Sequence, residues 1–270
     1  MSVVPLPGLP PEEQAVQDRA IAFFKENKED LIIAYRARFK VLVGTDLARE
    51  MFPEYAASID SRLRFSAAVQ RPAAALSDEV FDRVVSECSG GLALFTGGGT
   101  GAGKTTSVMR NGAAKAAFHG ASIIFDGNFN SWKSSKSKLE SVLGQQCRAV
   151  VVFVHRHPVA AYIKGVIPRA LEQGRTVPIH AHLRMHKDSI ATFLRIHRNF
   201  ADNPNVSFIV LNNTGHEQES FPQSDIDYLK AVKYDSPELE AAIRKGLTNE
   251  LKEQRISQAL YDASCGTTPA

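Results

Sequence analysis

A glycine-rich segment that begins at residue 98 has the residue types and the spacing of a phosphate-binding loop. It fits the pattern G-x-x-x-x-G-K-[ST] at every fixed position, with the sequence Gly98-Gly99-Thr100-Gly101-Ala102-Gly103-Lys104-Thr105. The glycines let the backbone curl so that its N–H groups point inward at phosphate oxygens. Lys104 is expected to reach the β- and γ-phosphates of ATP, and Thr105 to ligate Mg²⁺. The pattern predicts an ATP·Mg²⁺ site that extends from the first glycine to Thr106.

The sequence on either side of this loop favours a nucleotide site over an ordinary glycine-rich turn. An apolar run at residues 92–95 predicts a strand before the loop, and a helical pattern from Lys104 to about residue 118 follows it. The one Asn-Lys-x-Asp match, residues 27–30, lies inside the helical pattern 12–38 and not at the end of a predicted strand, where a guanine-binding segment is expected, and the apolar run 149–154 lacks the acidic end of a Walker B strand. These features favour a small-molecule kinase over a GTPase or a motor ATPase.

The remaining elements predict how the loop is positioned. Apolar runs predict five strands, at residues 40–44, 92–95, 121–125, 148–154 and 206–211. Helical patterns separate these runs, so we expect an α/β fold with a parallel sheet of about five strands covered by helices on both faces. Ligands gather at the carboxyl ends of such strands. Asp46, the glycine-rich loop and Asp126 all follow predicted strand ends.

The helical segments divide the chain into three expected parts. These are an N-terminal helical segment at residues 1–38, a kinase core at 39–215 and a C-terminal helical segment at 216–270. Within the first part a single helix is predicted over about residues 12–38. The basic segment 174–187 is expected to precede the next helix, which runs to about residue 199, and to contribute to a polar lid.

The bulk composition sets limits on the partners. The 270 residues carry a net charge of +3, which is too mild to indicate nucleic-acid binding and would suit a small anionic substrate. Cys88, Cys147 and Cys265 fit no zinc or disulfide spacing, which favours a reducing compartment. No apolar run reaches the roughly 18 residues that span a bilayer. We therefore expect neither a nucleic-acid nor a membrane partner, and a place in the cytoplasm or in a target cytosol after delivery.

Three segments resemble the zeta toxin family of P-loop kinases. Residues 44–55, Gly-Thr-Asp-Leu-Ala-Arg-Glu-Met-Phe-Pro-Glu-Tyr, resemble the strand-end motif that supplies that family's catalytic Asp, a nearby Arg and a following Pro. Residues 168–178 resemble its arginine-bearing lid, and Asp126-Gly127-Asn128 is similar to its Glu-Gly-Thr strand end. In zeta toxins the P-loop precedes the Asp motif, whereas here it follows. A circular permutation of the kinase core would explain this order.

The resemblance implies transfer of the γ-phosphate of ATP to a hydroxyl of a sugar nucleotide such as UDP-N-acetylglucosamine, a toxin or effector role, and an antitoxin protein as a candidate partner. Another nucleotide-linked acceptor, such as a dinucleotide, is the alternative substrate. A nucleotide-binding regulatory module without acceptor chemistry is the alternative function. Acceptor-dependent formation of ADP would separate a kinase from such a module.

Two aspartates compete for the role of catalytic base. Asp46 could accept the proton of the acceptor hydroxyl, and its plain alternative is to cap a helix. Asp126 could be the base instead, or could hold Mg²⁺ or the acceptor together with Asn128. The sequence alone leaves both assignments open.

Three arginines are candidates for binding phosphates. Arg169 and Arg175 could stabilise charge on the transferred phosphoryl group, as arginine fingers do, and their plain alternative is solvated surface. Arg49 could contact the phosphates of the acceptor or form a salt bridge within its own helix.

Histidines and aromatic residues near these segments are weaker candidates. The cluster of His180, His182 and His186 lacks a Cys or a carboxylate that would complete a zinc site, so a solvated or substrate-facing lid is expected. His155 and His157 are expected in a plain loop. For Phe129 and Trp132, core packing is favoured over stacking on a base.

Overall fold

A computed structural model describes residues 3–214, 219–221, 226–231, 234 and 237–266 of the chain. Within these residues six strands form one sheet: β1 (Leu42–Val43), β2 (Leu92–Gly97), β3 (Ile123–Asp126), β4 (Arg148–His155), β5 (Val206–Asn212) and β6 (Glu219–Phe221).

The helices of the described residues connect and cover these strands. They are α1 (Pro11–Glu26), α2 (Lys28–Phe39), α3 (Thr45–Arg49), α4 (Pro53–Ala56), α5 (Ile59–Phe65), α6 (Gln70–Glu87), α7 (Lys104–Arg110), α8 (Gly112–Gly120), α9 (Trp132–Gly144), α10 (Pro158–Ala161), α11 (Ile167–Gln173), α12 (Ile179–Phe200), α13 (Ile226–Ala231), α14 (Pro237–Lys252) and α15 (Gln258–Cys265). A π-helical turn, Tyr162–Val166, joins α10 to α11.

The strands lie in the order β1-β3-β2-β4-β5-β6. The first five are parallel, which confirms the predicted parallel sheet, and β6 adds an antiparallel edge that the sequence did not predict. Strand β1 pairs with β3, with Val43 opposite Phe125. The strand that carries the Asp motif therefore lies in the same sheet as the strand before the phosphate loop, as the permuted order predicts.

Both faces of the sheet are covered, because successive residues of a strand point to opposite faces. In β4, Val151 and Phe153 are buried in the larger core cluster, to which α1, α2, α6, α9 and α12 contribute. Val152 and Val154 are buried in a second cluster with residues of α7 and α8. This explains why β4 is a continuous apolar run, as is typical of a parallel strand between two helical layers.

A third apolar cluster lies away from the sheet. Tyr162 and Val166 of the π-helical turn pack there against Ile243 and Leu247 of α14 and Leu260 of α15. The C-terminal helices therefore support the segment that leads to Arg169. In the part of the chain that the structure describes, no helix is both long enough and apolar enough to cross a membrane.

Some helix boundaries differ from the predictions. Asn27 divides the predicted helix 12–38 into α1 and α2, and Asn111 divides the helix after the phosphate loop into α7 and α8. Asparagine favours helix ends because its side chain bonds to nearby backbone, as when Asn111 Oδ1 accepts from Ala114 N at 3.0 Å. The predicted start of the next helix after residue 187 was wrong, because α12 begins at Ile179 and buries one face.

Candidate functional site

The phosphate loop joins β2 to α7 at the carboxyl edge of the sheet. Its first residue, Gly98, has a φ of 135°, and a Cβ there would lie 2.2 Å from the carbonyl oxygen of Val154 on the neighbouring strand. Only glycine fits this conformation and this space. Thr105 and Thr106 lie in the first turn of α7, and both are exposed.

Lys104 lies beside the two polar side chains that follow β3. Its Nζ donates to Asn128 Oδ1 at 3.1 Å and lies 3.8 Å from Asp126 Oδ1. The same Asp126 oxygen accepts a hydrogen bond from Thr96 Oγ1 at 2.7 Å. The sequence analysis missed Thr96, because it lies within the apolar strand β2 and only the sheet register places it opposite Asp126.

Asp46 lies where three arginines converge. Its Oδ1 is 3.1 Å from Arg49 Nη1, and its Oδ2 pairs with Arg175 Nη2 and lies 3.7 Å from Arg169 Nη1. The arginine side chains are mostly buried, at 17% exposed for Arg49 and 16% for Arg175, so a plain solvated surface does not describe them. The Asp46 side chain is 46% exposed and therefore accessible to a ligand.

The position of Asp46 does not support a capping role. Helix α3 begins at Thr45 with Gly44 as its N-cap residue, and no side chain caps it. Arg49 donates a second hydrogen bond to Gln70 Oε1 of α6, a partner that sequence reasoning missed because 21 residues separate the two.

The charges at this site favour an anion. Burial alone would raise the pKa of Asp46, but the nearby charges of Arg49, Arg175, Arg169 and Lys104 outweigh it and hold the pKa well below its usual range. Asp46 is therefore ionised at neutral pH. Burial also lowers the pKa of Arg169, against the attraction of Asp46. Four cationic side chains thus face two carboxylates, Asp46 and Asp126, which leaves an excess of positive charge.

The Asp46 cluster and the phosphate loop are neighbours. Strand β1 lies beside β3, and a Cβ on Gly44 would be 2.8 Å from the carbonyl oxygen of Asp126. The structure therefore brings together Asp46, Lys104 and Asp126 from three adjacent strand ends.

The histidines occupy positions that the sequence did not predict. His182 and His186 are 0% and 2% exposed and bond to Thr100 of the phosphate loop, so the expectation of a solvated or substrate-facing lid was wrong for both. His155 ends β4 and is buried between the hydroxyls of Tyr234 and Tyr228, at 2.7 and 2.8 Å, rather than lying in a plain loop.

Burial favours the neutral form of these three histidines. It lowers the pKa of His155 and of His182 to about 4 and that of His186 well below its usual value. Among the described residues, no group of three or more His, Cys, Asp or Glu side chains could hold a metal ion. Phe129 is 4% exposed in the main core, in line with the packing role favoured for it.

The donors present fit a magnesium ion that is carried mainly by nucleotide phosphates. Mg²⁺ prefers oxygen ligands and is commonly held by one or two protein groups together with phosphates. The exposed hydroxyl of Thr105 and the carboxylate of Asp126 next to Lys104 are oxygen ligands of this kind.

No family model matches the chain, and no curated protein matches its sequence. Among solved structures, the chain is similar to one from the AvrRxo1-ORF1:-ORF2 complex, with 11% sequence identity and a TM-score of 0.45 over 68% of this chain and 79% of that chain. It is also similar to one from the PezAT chromosomal toxin–antitoxin system of Streptococcus pneumoniae, with 11% identity and a TM-score of 0.42 over 89% of this chain and 84% of that chain. The strand order and the loop after β2 themselves define a P-loop α/β fold.

Proposed function

We propose that this protein is an ATP-dependent phosphotransferase that transfers the γ-phosphate to a hydroxyl of a nucleotide-linked acceptor such as UDP-N-acetylglucosamine. The observation that carries the proposal is the convergence of Arg49, Arg169 and Arg175 on Asp46. Asp46 lies in α3, just after the strand that neighbours the one ending at Asp126. A module that only binds a nucleotide has no need of a carboxylate and three arginines beside its phosphate loop.

In this proposal the loop from Gly98 to Thr106 binds ATP. Its backbone N–H groups hold the phosphates, and Lys104 moves from Asn128 and Asp126 to the β- and γ-phosphates. Thr105 and Asp126 would hold Mg²⁺, which neutralises phosphate charge when bound.

Asp46 orients the acceptor hydroxyl and takes its proton as the bond from that oxygen to the γ-phosphorus forms. The bond between the γ-phosphorus and the β–γ bridging oxygen breaks, and ADP leaves with that oxygen. Its low pKa makes it a weak base, which suits phosphoryl transfer because orientation of the nucleophile counts for more than basicity. Arg169 and Arg175 then exchange contacts with Asp46 for contacts with the transferred group, whose charge they stabilise. Asp126 remains the rival candidate for the base.

The excess of positive charge supports an acceptor that carries phosphates of its own. Arg49 and Asn128 are the residues we assign to it, together with Asp126. The resemblance of residues 44–55 and 168–178 to zeta toxins adds support for a sugar nucleotide, for a toxin or effector role in a cytosol, and for an antitoxin partner.

The test is to incubate the protein with ATP, Mg²⁺ and a panel of sugar nucleotides and dinucleotides, and to search by mass spectrometry for an acceptor that gains one phosphate. A phosphorylated sugar nucleotide would support the proposal, and a phosphorylated dinucleotide would support the alternative acceptor. ADP formation that no acceptor accelerates would contradict both and favour a regulatory module. Lys104→Ala serves as the control without transfer.

A further inference from the structure

Two buried histidines of α12 hold the same residue of the phosphate loop. His186 Nε2 lies 2.9 Å from the carbonyl oxygen of Thr100, and His182 Nδ1 lies 2.8 Å from the Thr100 hydroxyl. The contact is close, since a Cβ on Gly99 would lie 2.3 Å from the His186 ring. Thr100 itself is 8% exposed, so water does not compete for these bonds.

The partners fix the tautomer of each ring. A carbonyl oxygen only accepts, so His186 Nε2 carries a proton. His182 Nε2 lies 2.9 Å from the carbonyl oxygen of Pro158 and is protonated for the same reason. His182 Nδ1 must then accept from the Thr100 hydroxyl. With a neutral His182 ring, the Thr100 hydroxyl donates to Nδ1, and Nε2 donates to the Pro158 carbonyl oxygen, so both ring nitrogens have a hydrogen-bond partner.

His182 thereby connects the phosphate loop, α10 and α12, and the chain between α10 and α12 carries Arg169 and Arg175. Pro158 begins α10, which leads through the π-helical turn to Arg169, and α12 follows the lid segment that carries Arg175. A second contact joins the same parts, because a Cβ on Gly165 in the π-helical turn would lie 2.5 Å from the carbonyl oxygen of Gly101. The phosphate loop is thus in contact with the chain on both sides of the two lid arginines.

We propose that His182 is a positioning residue that couples occupancy of the phosphate loop to the placement of Arg169 and Arg175, with His186 bracing the Thr100 carbonyl. This inference rests on the proposed function, since it assumes that a nucleotide occupies the loop. Ordinary core packing is the competing explanation. Packing alone predicts that an apolar side chain of similar size at position 182 preserves the coupling, whereas the proposal requires the two hydrogen bonds.

The experiment is hydrogen exchange of peptides that cover residues 158–178, with and without the non-hydrolysable analogue AMP-PNP and Mg²⁺. We expect the nucleotide to slow exchange of this lid in the wild-type protein. In Thr100→Val, which replaces the hydroxyl with a methyl group, the slowing should fall by roughly 3- to 10-fold, the effect of one lost hydrogen bond. In His182→Leu, which removes the bonds to both Thr100 and Pro158, the slowing should fall by at least as much. The Kd for AMP-PNP, measured by calorimetry, should change by less than about threefold in His182→Leu, because the loop with its backbone donors and Lys104 is unaltered. Thr100 belongs to the loop itself, so exchange of Thr100→Val is compared at saturating AMP-PNP.

Three comparisons keep the result interpretable. Thr100→Ser retains the hydroxyl and should restore the coupling, which excludes a general effect of altering the loop. His180→Gln changes an exposed histidine of the same helix and should behave as wild type. If His182→Leu does not fold, Thr100→Val carries the test.

Lid protection equal to wild type in both His182→Leu and Thr100→Val would overturn the inference. Failure of the proposed function would look different, because the wild-type protein would bind AMP-PNP but transfer no phosphate to any acceptor, with the coupling unaffected. A wild-type protein that binds no nucleotide would overturn both.

Discussion

At the scale of single residues, the proposed function assigns phosphate binding to Lys104 and orientation of the acceptor to the carboxylate of Asp46. The Lys104 ammonium lies against Asn128 and Asp126, two polar groups of the site. We expect Lys104→Ala to lower kcat at least about a hundredfold, as loss of a charge that stabilises the transition state does, with an unchanged circular-dichroism spectrum. Lys115→Ala, on the exposed face of α8, is the matched control and should be neutral. Normal turnover by a folded Lys104→Ala protein would refute the kinase assignment.

The choice between Asp46 and Asp126 as the base is also decided at this scale. Asp46→Asn keeps the size of the side chain but cannot take a proton, so kcat should fall by about 10² to 10⁴ while the affinity for ATP changes little. Asp126→Asn should instead weaken the binding of Mg²⁺ or of the acceptor, and a higher concentration of that ligand should raise its reaction rate. Measurement of kcat and both KM values for the two variants decides the matter. Near-normal kcat in Asp46→Asn, with loss of chemistry alone in Asp126→Asn, would reverse the roles.

At the scale of elements, the π-helical turn shows how closely the lid approaches the loop. A side chain at position 165 would meet the backbone of Gly101, which cannot yield without moving the loop. We expect Gly165→Ala to cost about 1–3 kcal/mol in stability, as overpacking does, and to raise the Kd for AMP-PNP roughly tenfold. Gly112→Ala, where a Cβ would meet nothing within 4 Å, is the matched control and should be neutral in both measurements. An unaltered Kd in Gly165→Ala would show that this contact does not shape the loop.

The elements that the sequence predicted are those whose signal is local. Strands β2 and β4 are apolar runs, and the loop after β2 has a fixed pattern, so both could be placed without a structure. The start of α12 could not, because His182 and His186 count as polar in a sequence but form part of its buried face. Their partner Thr100 lies 82 residues before His182, and no local pattern reveals a pair so far apart in the sequence. The arginines could be chosen as candidates, but their meeting at Asp46 depends on the fold.

At the scale of the whole molecule, buried neutral histidines make stability depend on pH. The folded-state pKa values of His155 and His182 are about 4, below the usual 6.5, so the unfolded chain binds protons first as the pH falls. Their contribution is complete above pH 6.5 and is lost as the pH falls towards 4. Between pH 7.5 and 5 we expect each to cost about 2 kcal/mol of unfolding free energy, measured by urea denaturation. His182→Gln should reduce this slope, and an identical slope in the variant would contradict the assignment.

The three-part division of the chain remains a prediction at this scale. Helix α14 packs on the π-helical turn and α10, so the C-terminal helices lie against the arginine-bearing segment rather than apart from it. Deletions that remove α14 and α15 should therefore change the site as well as the stability.

The ion pairs of Asp46 also have a consequence for the cell. While no acceptor is present, Asp46 engages Arg49 and Arg175, so part of the charge of these two cations is directed at the protein's own carboxylate. A water molecule in the place of the acceptor would then meet arginines that already contact the protein's own carboxylate. If the proposed transfer is the protein's function, a copy without acceptor would consume little ATP, and a cell could store many copies without draining its energy supply.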